Sequence, residues 1–242
     1  GQAKAVAAQQ HLDQINSSIT LISHVTDLSS QNISLLDGDL VVDGTDNMET
    51  RFLMNAHCRK NKIPWVYGSA IRDEGYVKTY LPTKDCFACT FSQGQSFETC
   101  DTSGVLNSIT HTIASMQVME ALKLLLGKKP EQQLLHMNSW DQTLEKLTTS
   151  QKKTCTICRG DYSILEEHDE KKIIKFCGSS HYQIRGKPVS LPVLHRRLKG
   201  SVLHEVCLRH GLMTVFADGR VLVKAKSEEE ALKLYTSLLD HS

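Results

Sequence analysis

The chain has 242 residues, 40% of them hydrophobic, and its 28 lysines and arginines nearly cancel 27 aspartates and glutamates to leave a formal charge of +1. That balance excludes a disordered chain and a generally basic nucleic-acid binder. No apolar stretch approaches the roughly 20 residues of a membrane span, and residues 1–10 lack the pattern of a signal peptide, so a soluble, cytoplasmic protein is expected.

Ala3, Val6, Ala7, Leu12 and Ile15 fall on one face of an opening helix. It starts without a capping residue and without an initiator Met, which predicts further residues upstream. Residues 19–25, rich in β-branched side chains, predict a strand. Residues 39–43 are a short apolar run closing on Gly44-Thr-Asp-Asn47, the pattern of a buried parallel strand feeding a loop. A helix over 49–60 follows, then strands at 64–68 and 75–80. A long helix over 105–126 is stopped by Gly127. Residues 133–147 predict a strand pair around Asp141.

Strands alternating with helices indicate an α/β domain, with ligands at the carboxyl ends of the strands. Residues 150–153 read as a polar linker. Beyond Asp161 the pattern changes to short strands near 176–184, a short helix over 191–198 and a hairpin around Asp218-Gly219. Ser227-Glu-Glu-Glu230 is a capping box opening a last helix to Leu239. This makes a small α+β domain.

Four of the eight cysteines form two pairs, Cys86-Phe-Ala-Cys89 and Cys155-Thr-Ile-Cys158. Each pair can turn both thiolates onto one ion, and two pairs complete a tetrahedral zinc site. Such a site is full, hence structural, and would clamp the linker onto the main domain. Disulfides are the alternative. Cys58, Cys177 and Cys207 sit among apolar neighbours as core thiols. Cys100 lies in a polar loop directly before the long helix, where a helix N-terminus lowers a thiol's pKa and makes a nucleophile. Asp43-Gly-Thr-Asp-Asn47 could hold Mg²⁺ beside a polyphosphate, with Lys4 supplying a point charge. The plainer readings are Asp46 or Asn47 as a helix N-cap and Lys4 as a solvated lysine.

These elements add up to a pattern. Gly1-Gln-Ala-Lys4, Thr45-Asp-Asn47 with Arg51, Gly68-Ser-Ala-Ile-Arg72, Cys86-x-x-Cys89, Thr99-Cys-Asp-Thr-Ser-Gly104, Met119-Glu-Ala-Leu-Lys123 and Cys155-x-x-Cys158 occur in that order. The chain resembles the ThiF/MoeB/HesA adenylyltransferases, relatives of ubiquitin-activating enzymes, over residues 1 to about 160. The tail resembles the C-terminal extension of some ThiF/MoeB-type proteins.

The resemblance implies a Rossmann-like ubiquitin-activating-enzyme fold: a partial adenylation domain over 1–150, a zinc-clamped linker over 151–160 and an α+β domain over 161–242. It implies ATP-dependent adenylation of the C-terminal glycine of a ubiquitin-like sulfur carrier, ThiS or MoaD, by a homodimer. Lys4 would hold phosphates, Asp46 would organise Mg²⁺ and ATP, and Asn47 would line the nucleotide site. Cys86, Cys89, Cys155 and Cys158 would bind structural zinc, and Cys100 is a candidate covalent residue. The family's glycine-rich loop has no counterpart, since no G-x-G-x-x-G occurs in these residues, so the chain reads as the back two-thirds of such an enzyme. A non-catalytic module docking a carrier or partner subunit is the alternative. A zinc- or NAD-dependent oxidoreductase is disfavoured by a closed metal set and the missing dinucleotide loop.

Overall fold

A computed structural model describes residues 2–92, 103–166, 173–175 and 180–239. The chain divides into two compact units: Leu28–Asp169, and Gly1–Asp27 with Glu170–Ser242.

The unit over Leu28–Asp169 is built on a five-stranded sheet of order β1-β2-β3-β4-β5. Its strands are β1 (Val41–Val42), β2 (Trp65–Ile71), β3 (Glu74–Tyr80), β4 (Leu134–Asn138) and β5 (Thr143–Leu147). β1 runs parallel to β2, with helix α2 (Met48–Lys60) crossing between them, and the remaining pairs are antiparallel. Side-chain alternation along β2 sorts the two faces. Trp65 and Tyr67 join Phe52, Met54 and Cys58 of α2 in one core. Val66 joins Ile109 and Ile113 of the long helix α4 (Asn107–Leu125) in another. The short helix α3 (Phe87–Thr90) puts Phe87 at the centre of the first core, with ring centroids 5.1 Å from Phe52, 5.7 Å from Trp65 and 5.3 Å from Tyr67.

Gly127 ends α4 with φ 65, a left-handed conformation that glycine adopts without steric cost. Of the large apolar residues of α4, only Ile109 and Ile113 in its first half are buried. Val118, Met119, Leu122, Leu125 and Leu126 stay exposed among the described residues.

The other unit holds an antiparallel sheet of order β6-β7-β11-β10-β9-β8. Its strands are β6 (Ile173–Lys175), β7 (His181–Arg185), β8 (Val202–Leu203), β9 (Cys207–His210), β10 (Met213–Phe216) and β11 (Arg220–Lys224). Leu191 and Leu194 of α5 (Leu191–Arg197) and Ala231 of α6 (Glu228–Leu239) complete its core with Ile184, Leu208, Val215 and Val223. The hairpin turns at Gly219, φ 89, and Ser227 Oγ accepts from the Glu230 N–H at 3.2 Å, as the capping box predicts.

Helix α1 (Lys4–Ile15) forms as periodicity predicts, but none of its residues is buried. The strand predicted over residues 19–25 does not form. β-Branched residues favour a strand only where a ladder is available. Here the Gln9 side chain takes the polar groups instead, donating to the Leu21 carbonyl at 2.8 Å and accepting from Ser23 Oγ at 2.7 Å. Cys58 and Cys207 are core thiols as expected, while Cys177 lies outside the described residues.

Candidate functional site

The loop after β1 is fastened from three directions. The Asp43 carboxylate, fully buried, accepts from the Thr45 N–H and Oγ1, both at 2.7 Å, and from Arg51 Nε at 2.9 Å. Arg51 comes from the first turn of α2. Its guanidinium also donates to the Thr45 carbonyl and, at 3.1 Å, to the Gly68 carbonyl, with the Tyr67 ring 5.0 Å away. From the opposite face of the sheet, Gln117 of α4 donates to the carbonyls of Asp43 at 2.8 Å and Val66 at 3.1 Å. Gly68 makes room for it: a Cβ there would fall 2.3 Å from the Gln117 side-chain carbon.

This fastening presents Asp46 and Asn47 to solvent at the carboxyl end of a parallel strand. Asn47 is the N-cap of α2, accepting from the Thr50 N–H at 2.8 Å, which was the plainer reading of that position. Asp46 is exposed beside the positive end of the same helix. An exposed carboxylate here can meet a hard cation, whereas Asp43 is consumed by its internal partners. Lys4 is the exposed first residue of α1, in the other compact unit. Cys100 lies outside the described residues.

The four paired cysteines meet. Cys86 precedes α3, whose first N–H, that of Phe87, is held by Asn55 Oδ1 at 2.9 Å. Cys155 opens a tight turn ended by Gly160, φ 93. Sulfur separations are 3.9 Å for Cys86–Cys89, 3.6 Å for Cys86–Cys155, 3.6 Å for Cys89–Cys158 and 3.4 Å for Cys158–Cys86. All four are free, without the S–S bond that the disulfide alternative requires. Four thiolates about 2.3 Å from one tetrahedral zinc would lie about 3.8 Å apart, close to these values.

The surroundings fit a metal-bound thiolate set. The Lys152 N–H donates to Cys89 Sγ at 3.4 Å. The buried Asn55 Nδ2 has no oxygen or nitrogen partner, and its amide favours a thiolate at Cys86. Burial nevertheless pushes the Cys86 thiol up to about 11. Burial also raises Cys158, reinforced by the sulfurs of Cys86 and Cys89. At Cys89 burial opposes the charge, but backbone donors near Cys86 and Lys152 outweigh it and the thiol is lowered. Four thiolates this close would repel one another, and a divalent cation among them would offset part of that charge.

Sequence reasoning missed the fastening residues Asn55 and Gln117, and it noted Arg51 only within a motif. Gln117 left a signal: it continues the Ile109, Ile113 ladder at spacing four, a polar residue where the helix pattern calls for an apolar one.

Comparison with known proteins decides the grouping. The model of the ThiF family matches residues 1–158. The chain belongs to the ThiF family. It is 30% identical over 244 residues to the sulfur carrier protein ThiS adenylyltransferase of Bacillus subtilis, an alignment covering 93% of this chain and 72% of that protein. It is 33% identical over 186 residues to adenylyltransferase and sulfurtransferase MOCS3 of Aedes aegypti, covering 73% of this chain and 42% of the relative. The chain thus spans less than half of that second relative. The crystal structure of E. coli MccB with ATP matches with TM-score 0.57 at 13% identity, over 66% of this chain and 52% of that one. At that identity the likeness speaks for the fold alone, an α/β Rossmann-like architecture. No described helix is long and apolar enough to cross a membrane.

Proposed function

We propose that this protein adenylates the C-terminal glycine of a ubiquitin-like sulfur carrier. The carrier's carboxylate oxygen attacks the α-phosphorus of ATP, pyrophosphate leaves, and the acyl-adenylate is ready for sulfur. Such a transfer is mostly positioning and charge neutralisation. In this reading Asp46 organises Mg²⁺ and ATP, Asn47 lines the nucleotide site while capping α2, and Lys4 holds phosphates. Cys100 is a candidate for a covalent link to the carrier. The observation that carries the reading is the family match across residues 1–158. A ThiS-type carrier comes first, because the relative named for ThiS is matched over 72% of its own length, against 52% for a MOCS3 of equal identity. A cytoplasmic homodimer belongs to the same reading, supported by the exposed apolar residues on the second half of α4.

Cys86, Cys89, Cys155 and Cys158 would hold one zinc ion. With four sulfurs it has no open position, so it tightens the fold and takes no part in transfer.

The test is ATP–pyrophosphate exchange with a ThiS- or MoaD-type carrier, using Asp46→Ala as control. Exchange that disappears in the variant is the expected result. Carrier binding without exchange, in parent and variant alike, would favour the docking-module alternative and overturn the adenylation reading.

A further inference from the structure

The least expected charge in the Leu28–Asp169 unit is Lys78. Its side chain is fully buried in the middle of β3, a position where an apolar residue avoids the several kcal/mol of burying an ammonium. An ammonium has three N–H donors, and here three acceptors from separate segments surround it. They are the Gln132 carbonyl at 2.6 Å, Thr149 Oγ1 at 2.6 Å and the Asp85 carboxylate at 3.1 Å. Thr149 Oγ1 donates onward to Asp85 Oδ2 at 2.7 Å, closing a ring of lysine, threonine and aspartate.

The placement of these partners gives the ring a purpose. Asp85 directly precedes Cys86, and Thr149 lies on the segment that runs from β5 to Cys155. Gln132 and Thr149 stand at the two open ends of the β4–β5 hairpin, which separates the cysteine pairs in the chain. One buried cation therefore ties together the approaches to both pairs.

We propose that Lys78 is a positioning residue for the metal: by bridging Asp85, Gln132 and Thr149 it holds the two cysteine pairs in register before the ion arrives. The inference rests on the metal reading of the four cysteines. The ring touches no sulfur; it acts through the two backbone segments. It lowers the ordering entropy that metal binding must overcome, which raises affinity without adding a ligand.

The test uses Co²⁺, whose tetrathiolate absorption reports site geometry, and Zn²⁺ in competition with a chelator. Parent, Lys78→Met and Lys78→Met/Asp85→Asn are compared. Metal affinity is expected to fall about 10–100-fold in both variants, as for other outer-shell losses. The rise in Tm on metal binding should narrow with it. The double variant leaves no unpaired buried charge, so it carries the test if Lys78→Met alone fails to fold. Thr149→Val, which removes one hydroxyl, should give a smaller loss in the same direction. Unchanged affinity in the folded double variant, with Tm lowered equally in metal-free and loaded protein, overturns the proposal. A parent that takes up no Co²⁺ overturns the metal reading itself, and the role of Lys78 with it.

Discussion

The cysteine cluster and the loop after β1 stand on the same unit, yet they are made in opposite ways. In the cluster the chemistry lies in the residue types: four cysteine sulfurs converge to within 4.8 Å of one another. In the loop the exposed Asp46 is chemically ordinary, and its meaning comes from Arg51, Gly68 and Gln117, which lie on three other elements. Helix α2 joins the two: Asn47 caps its start, and Asn55, two turns on, grips the turn that carries Cys86. The difference teaches where each region should fail. The loop should break through its hidden fasteners and the cluster through loss of the metal proposed for it.

The largest effect should come from Arg51→Met. It leaves the Asp43 carboxylate buried without its cation, a loss of about 3–5 kcal/mol when one partner of a buried pair is removed. Denaturant midpoints measure it. Arg51→Lys should recover only part, because an ammonium cannot reach Asp43, Thr45 and Gly68 with the geometry of a fork. If Arg51→Met is as stable as the parent, the loop is not held as described.

Removing metal should test the other region. Metal at a hundredfold excess over its Kd stabilises by about 2.7 kcal/mol, and chelation should forfeit that and expose residues 151–160 to proteolysis. Unchanged cleavage there, with metal loss verified by elemental analysis, would count against the clamp.

The same contrast explains what the residues disclosed on their own. The two C-x-x-C pairs were readable because thiolate chemistry depends on identity and short spacing, and the strands and helices of the sheet followed from their periods. The strand expected at residues 19–25 failed because pairing partners are not written in local composition. The buried Lys78 and Arg51 were opaque for a related reason. A cation in a strand or helix reads as a solvated face until the acceptors from distant segments are seen around it. Gln117 was intermediate, visible as an interruption of an apolar ladder but silent about its two carbonyl partners.

A smaller effect belongs to Gly68→Ala. The added methyl meets the Gln117 side chain at 2.3 Å, and overpacking of this kind costs about 1–3 kcal/mol. Gly68→Ala/Gln117→Ala should relieve the clash while losing the hydrogen bonds to Asp43 and Val66. The pair should therefore couple strongly in a double-mutant cycle, and simple additivity would show that the two do not press on each other.

The smallest stability change separates neighbours that look alike in sequence. Asn47→Ala removes the side chain that caps α2 and should cost about 1 kcal/mol. Asp46→Ala, on an exposed side chain, should stay within about 0.5 kcal/mol of the parent. If Asp46 serves the nucleotide, its substitution abolishes exchange without touching stability, so the two measurements part company at this residue. At Asn47 they should fall together. A loss of stability at Asp46 comparable to that at Asn47 would mean that the carboxylate holds the loop and is not available to a ligand.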